Sequence, residues 1–331
     1  MGPGIGAAMS AATGVGSMPG EDFAEAVRVV TGSLPDLPHL PEVPARGPVA
    51  DLTGRAAAIT GELGFDLQPA GWRLTDSPGI DHRRAVSLLA QDLDVLEEQL
   101  QDYRGRLKVQ VAGPWTLAAT VEKPRGDKVL SDLGARRDLA QALAEGVRVH
   151  LGDVQRRVPG AELVLQLDEP ALPFVLGGQV PTASGFSRHR SVRPPEAQDA
   201  LEWVIGAAGH HPTVVHCCAA EVPIALLRRS GAGGVSVDLA ALVAGGYEQL
   251  AVALDEGAQV HLGVVPSSGD TLPSAKAPLE RVLRLLDMLG FDPDVVSAQL
   301  VLTPSCGLAG AEPAYAKAAL RAVREAAGEL G

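Results

Sequence analysis

The sequence predicts an α/β fold, a single (β/α)8 TIM barrel spanning residues 1–331. Three observations predict it. Short β-branched apolar runs alternate with helix-sized segments, as in a parallel sheet with covering helices. The length is normal for one such barrel, and reactive side chains follow the ends of several predicted strands. An open doubly wound sheet is the alternative. The barrel is favoured because it gathers all strand ends at one mouth.

The predicted strands and helices follow from local patterning. Helices are assigned where apolar residues recur three or four positions apart. Five prolines between residues 33 and 49 predict an extended surface connection there, because proline cannot continue a helix. The strands are 12–17, a weaker 66–72, 107–112, 163–168, 213–218, 234–238, 260–265 and 299–303; the helices are 81–103, 135–158, 195–206, 247–256 and 278–289.

Composition excludes several classes of function. The net charge of −12 argues against a nucleic-acid-binding surface and against adsorption to anionic membranes. The sequence contains no apolar run long enough to span a membrane, and its first residues lack the pattern of a signal peptide. Three cysteines, two of them adjacent, favour a reducing compartment over a disulfide scaffold. We therefore expect a cytoplasmic protein.

Four residues at predicted strand ends form a plausible zinc set. His216 and Cys218 lie two apart in one strand and therefore point to the same side, whereas Cys217 points away. Asp238 and Cys306 each follow another strand. Zinc accepts nitrogen, sulfur and oxygen ligands, and a catalytic zinc keeps one position open. The alternative is that these are ordinary strand-end residues, since free cysteines are often buried as small hydrophobes.

Other strand ends carry polar residues with more than one interpretation. Asp168 and Glu169 end the strand 163–168, where they could bind a substrate ammonium, act as acid and base, or cap a helix. Ser17 follows a glycine-rich strand end that could hold a carboxylate or simply form a tight turn. The long loop 177–195 carries basic residues and is either a lid that receives an anionic donor or a solvated loop.

Together these segments resemble the catalytic, carboxyl-terminal barrel of cobalamin-independent methionine synthase. The resemblance implies a barrel with zinc bound by His216, Cys218 and Cys306. It also implies that Ser17 and Asp168, with Glu169 beside them, hold homocysteine and that the product is methionine. The matching segments are GVGSMP (14–19), GP (113–114), QLDEPAL (166–172), HCC (216–218) and PSCGL (304–308).

The chain departs from this family at several points. Asp238 stands where the family has a glutamate as fourth zinc ligand, and the chain has no room for the family's additional amino-terminal barrel. Ser268 stands at the catalytic position of the family's proton-donating histidine. A further family glutamate that helps to bind the amino acid has no clear counterpart.

These departures bear on the methyl donor. A methyl group on a folate nitrogen leaves well only if that nitrogen is protonated, and serine is too weak an acid. We therefore expect zinc-dependent methyl transfer to homocysteine from a methyl-corrinoid, with 5-methyltetrahydrofolate as the other donor; Asp270 or His261 are substitute acids. Two alternatives stay open. One is a methyltransferase for another thiol, similar to the uroporphyrinogen decarboxylase group. The other is a non-catalytic barrel that binds zinc and homocysteine.

Overall fold

The computed structural model describes residues 10–330 as an α/β barrel. Seven parallel strands form one sheet in the order β1-β9-β8-β7-β6-β5-β4, and β2 pairs with β3 in a separate antiparallel hairpin. Within the described residues the strands are β1 (Ala11–Ala12), β2 (Gly64–Gln68), β3 (Gly71–Thr75), β4 (Gly105–Ala112), β5 (Ala161–Asp168), β6 (Thr213–Cys217), β7 (Gly234–Asp238), β8 (Gln259–Val265) and β9 (Leu300–Pro304).

The predicted barrel fold is confirmed, but the eighth position around the barrel is filled by a different segment from the one that the sequence predicted. The prediction of one strand at 66–72 is wrong, because that stretch covers the β2–β3 hairpin. Its turn precedes Gly71, whose positive φ of 123° suits glycine. The strand predicted at 12–17 shortens to Ala11–Ala12, while the other six predicted strands match β4 to β9 closely.

A proline-containing segment, residues 37–43, fills the gap between β1 and β4; we call it the closing segment. Lys108 of β4 donates its backbone N–H to Pro38 and accepts from Leu40, at 2.9 and 2.8 Å. On the other side Glu42 donates to Gly16 and accepts from Met18. The prediction of a surface connection is therefore wrong. Proline removes ladder donors, so the segment pairs only at intervals, yet its apolar residues are buried.

Helices cover the outside of the barrel. All five predicted helices are present, with ends shifted by up to three residues. Short helices and α1, α2 and α12 were not predicted. The helices are α1 (Phe23–Ser33), α2 (Leu52–Ile59), α3 (Ile80–Leu100), α4 (Pro114–Thr120), α5 (Leu133–Arg157), α6 (Leu172–Leu176), α7 (Pro194–Gly206), α8 (Ile224–Arg229), α9 (Ala244–Asp255), α10 (Lys276–Leu289), α11 (Pro293–Val296) and α12 (Pro313–Gly328).

The barrel interior changes from apolar to polar toward the carboxyl ends of the strands. A small buried cluster near the amino ends contains Ala11, Leu37, Val164, Val214 and Val301. Beside this cluster and farther along the strands the interior carries buried polar side chains, which are Lys108, Gln110, Gln166, Asp168, His216, Ser236, His261 and Thr303. Buried polar groups at the mouth of a barrel are typical of a functional site.

Nothing in residues 10–330 forms a helix that is both long and apolar enough for a membrane span. The sequence-based prediction about a signal peptide concerns residues 1–9, which lie outside the described residues.

Candidate functional site

His216, Cys218 and Cys306 come together at the mouth of the barrel. Their ligand atoms all lie within 4.8 Å of one another, and the two sulfurs are 3.5 Å apart. His216 Nδ1 hydrogen-bonds to Ser236 Oγ at 2.9 Å, whereas its buried Nε2 has no hydrogen-bond partner among residues 10–330. An unpartnered imidazole nitrogen beside two thiols is a donor set suited to zinc. Ser236 orients the ring in the way that supporting residues orient metal-binding histidines.

The two clustered cysteines are chemically unequal. The hydrogen bond with Cys218 and the contact with His216 lower the pKa of Cys306, whereas the hydrogen bond with Cys306 and burial raise the pKa of Cys218. Cys306 is therefore the first of the pair to become a thiolate, the form that binds metals. Cys217 lies in the apolar core, where burial raises its pKa to about 12.

Asp238 does not join this cluster in the described part of the chain. It ends β7, and its Oδ1 accepts the backbone N–H of Ala240 at 2.9 Å. Burial raises the pKa of the carboxyl group. The structure thus brings together three of the four predicted metal ligands. The fourth, the carboxylate of Asp238, is held in a turn near them.

A cavity of about 280 Å³ opens beside the cysteine pair. Asp168 lies in its wall, with Oδ1 accepting from Gln166 Nε2 at 2.7 Å, and burial raises the pKa of Asp168. Ser17 lies near Gly307, and its carbonyl accepts from Leu308 N at 2.8 Å. The lining residues are Val15, Gly16, Ser17, Glu42, Pro44, Asp51, Leu52, Asp168, Pro170, His216, Cys218, Cys306 and Gly307.

Glu42 is the buried carboxylate of the cavity that sequence reasoning missed, and the half-buried Asp51 was missed as well. Glu42 belongs to the closing segment and is buried, and burial raises its pKa while Arg55, with Nε 3.5 Å from Oε1, opposes the rise. Asp92 holds Arg55 in turn, at 3.1 Å. The cavity therefore has a second buried carboxylate, although the resemblance left one family glutamate without a counterpart. The available signal was the apolar residues between the prolines, which indicate a buried strand.

Glu169 and Ser268 lie elsewhere. Glu169 is fully buried and caps α4: its carboxylate accepts the backbone N–H groups of Trp115 and Thr116, at 2.9 and 2.8 Å, and the Thr116 hydroxyl. Burial raises its pKa to about 7. Ser268 is exposed in the loop after β8, as is Asp270. None of these residues lines the cavity.

His261, the other substitute acid, lies inside the barrel in register with Ser236. Burial lowers its pKa well below the ordinary value, so the ring is neutral and poorly suited to donate a proton. Its Nε2 faces Gln259 Oε1 at 3.2 Å.

Comparison with known families assigns the chain. Residues 105–329 match the family described as cobalamin-independent synthase, catalytic domain. The chain belongs to this family. Membership confirms the predicted enzyme class, a methyltransferase of the methionine synthase type acting in methionine biosynthesis, and supports methyl transfer to homocysteine. The description "cobalamin-independent" gives no support to the corrinoid donor that the sequence suggested.

A solved structure agrees with the fold. A B12-independent methionine synthase from Shewanella sp. W3-18-1, in complex with selenomethionine, superposes with a TM-score of 0.61 at 14% identity. The match covers 97% of each chain, so this chain is similar to that barrel protein along nearly its whole length. Comparison with curated proteins gave no match.

Proposed function

We propose that this protein transfers a methyl group to the thiol of homocysteine, in a zinc-dependent reaction that forms methionine. The observation that carries the proposal is the position of the His216, Cys218 and Cys306 cluster at the wall of a cavity that also contains two buried carboxylates. A metal-binding sulfur site next to an ammonium-binding site matches the two ends of an amino-acid thiol.

The donor set fits zinc. The unpartnered His216 Nε2 and the sulfurs of Cys218 and Cys306 supply three ligands, and Asp238, whose Oδ1 accepts from Ala240, is the candidate for a fourth. When bound there, zinc stabilises the thiolate form of a substrate thiol at neutral pH. Substrate binding and substrate orientation are the work of the chain's own residues.

Asp168 and Glu42 would bind the substrate ammonium. Both are buried carboxylates whose pKa is raised by burial, so a bound cation would stabilise their charged forms. Ser17 Oγ, which adjoins Gly307, would hold the substrate carboxylate. Fixing the amino-acid end in this way orients the thiol toward the metal ligands and the methyl donor.

We propose 5-methyltetrahydrofolate as the donor; the methyl-corrinoid expected from the sequence has no support and enters the test only as a comparison. The family description favours the folate. The exposure of Ser268, however, leaves a folate leaving group without a proton donor from that residue. General acid catalysis is worth about 100- to 10,000-fold, so the donor decides the rate that this site can reach.

The test is methyl transfer by zinc-loaded protein, with each donor supplied as its deuterated methyl form and labelled methionine measured by mass spectrometry. Asp168→Asn is the impaired variant, and Cys217→Ala, which changes a core residue outside the cluster, is the matched control. Labelled methionine from the methyl-folate supports the proposal, and labelled methionine from the corrinoid alone would contradict the choice of donor. Methylation of other thiols only indicates a different substrate, and binding without turnover indicates a non-catalytic barrel.

A further inference from the structure

A buried ammonium group lies just beneath the cavity. Lys108, in β4, is fully buried, and its Nζ donates to the Gly14 carbonyl, to the Val15 carbonyl at 2.9 Å and to Gln166 Oε1. Burial lowers the pKa of Lys108 to about 7, and the charge of Asp168 opposes the fall. All three contacts of Nζ are acceptors, which fits the ammonium form and uses its three N–H donors. Lys108 therefore has no donor left for a substrate, and it acts on the site through these hydrogen bonds and through the charge that it places near Asp168.

The first partner, Gln166, connects Lys108 to Asp168. Its Nε2 donates to Val15 O at 2.9 Å and to Asp168 Oδ1 at 2.7 Å. A side-chain amide can in principle turn over and exchange its oxygen and nitrogen. Lys108 prevents this, because a donor-only ammonium requires the amide oxygen on its side. The amide nitrogen must then face Asp168, which leaves Oδ2 of that carboxylate available to a ligand.

The second partner is the backbone that leads to Ser17. The carbonyls of Gly14 and Val15 belong to the segment that follows β1 and enters the cavity wall. Lys108 donates to both carbonyls, Gln166 donates to that of Val15 as well, and the Thr13 hydroxyl makes a longer contact of 3.4 Å with that of Gly14. One buried ammonium thus contacts the supports of both residues proposed to hold the two charged groups of the amino acid.

We infer that Lys108 is a positioning residue for the amino-acid end of the substrate, acting through the Gln166 amide on Asp168 and through the Gly14 and Val15 carbonyls on Ser17. The inference rests on the proposed function for the identity of the ligand. It differs from a purely structural role in one respect. Loss of Lys108 should impair amino-acid binding selectively, with the metal cluster and the chemical step largely intact.

The experiment compares Lys108→Met, Gln166→Met and the double variant with the unchanged protein. Methionine has a similar length and donates no hydrogen bond, so each change removes one hydrogen-bonding link between Lys108 and the residues proposed to hold the amino acid. Thr303→Val is the matched control, because Thr303 is equally buried in the barrel interior and its hydroxyl has no hydrogen-bond partner in the described part of the chain. The readouts are the Kd for methionine by calorimetry, KM and kcat for homocysteine, and zinc content.

We expect Gln166→Met and Lys108→Met each to raise Kd and KM about 10- to 100-fold, the range for lost hydrogen bonds to charged groups. Zinc content should equal that of the wild-type protein, and kcat at saturating homocysteine should change less than about threefold. Because the Gln166 amide is one of the two routes by which Lys108 acts, the double variant should bind little more weakly than Lys108→Met alone. Full additivity, unchanged KM, or a fall in kcat alone would overturn the inference. If Lys108→Met does not fold, Gln166→Met alone decides.

A second readout needs no ligand. The side-chain amide protons of Gln166, assigned by their loss in Gln166→Met, should be slow to exchange in the free protein and should lose this protection in Lys108→Met. Unchanged exchange would contradict the role of Lys108. A further outcome is that these signals behave as expected while the wild-type protein binds neither methionine nor homocysteine. That result would refute the proposed function but would leave the role of Lys108 in orienting the Gln166 amide supported.

Discussion

Replacing Asp168 with Asn tests the amino-acid end of the site without touching the metal cluster. The side chain keeps its size, and its amide oxygen would stay on Gln166 Nε2, which donates to Oδ1 at 2.7 Å. The new amide nitrogen would then face the substrate ammonium, so a donor would meet a donor. Breaking a buried charged pair in this way costs about 2–5 kcal/mol. Affinity for homocysteine or methionine should therefore fall about 30- to 4,000-fold.

The assay is calorimetric titration with methionine, which has no thiol proton to release, alongside zinc analysis of the same samples. Zinc content should equal that of the unchanged protein, because Asp168 lies outside the ligand cluster. Affinities within twofold of each other would show that Asp168 does not hold the ammonium. Loss of zinc together with affinity would show that the effect is structural.

The pH dependence of the same titration tests whether the substrate ammonium binds the ionised form of the Asp168 carboxyl group. Burial raises the pKa of Asp168 above its ordinary value, so in the free protein the carboxylate takes up a proton at a higher pH than an exposed aspartate does. The ammonium binds the ionised form. Methionine affinity should therefore decline on acidification well above about pH 4, and Asp168→Asn should remove part of the decline, with Glu42 supplying the rest. A flat profile for the unchanged protein would contradict this.

Three further predictions concern the metal, the loop and the domain. Cys218→Ala should lower zinc content sharply, measured by metal analysis, whereas Cys217→Ala should not; equal retention would refute the assignment. Gly307→Ala would place a Cβ in steric conflict with Ser17 Oγ, so methionine affinity should drop at least about tenfold, and equal affinity would contradict the contact. Limited proteolysis should cut within 177–195 without releasing a stable fragment; two folded halves would refute a single domain.

The sequence predicted the parallel strands of the barrel because their β-branched runs are regular and are separated by helix-length segments. It also placed His216, Cys218 and Cys306 together, since each follows such a run. These predictions succeed where a residue's position depends mainly on its own strand. The closing segment was missed because its prolines break the usual strand pattern, and with it Glu42 was missed as a cavity residue.

Other features depend on contacts between distant segments. Ser236 supports His216 only because β6 and β7 pair in that register. Glu169 caps α4 only because that helix begins beside the end of β5. The Asp168-Glu169 pair alone therefore could not show that the Glu169 side chain points toward α4 and not into the cavity. Lys108 looked like an ordinary strand residue until the fold showed that it reaches Gln166 and the backbone before Ser17.

The most direct test of the account is the sulfur coordination of zinc before and after homocysteine is added, measured by X-ray absorption at the zinc edge. With Cys218 and Cys306 as the sulfur ligands, the account predicts two zinc–sulfur contacts near 2.3 Å in the free protein and three with saturating homocysteine. A sulfur count that stays at two when homocysteine is shown to be bound would contradict a site built to activate the substrate thiol.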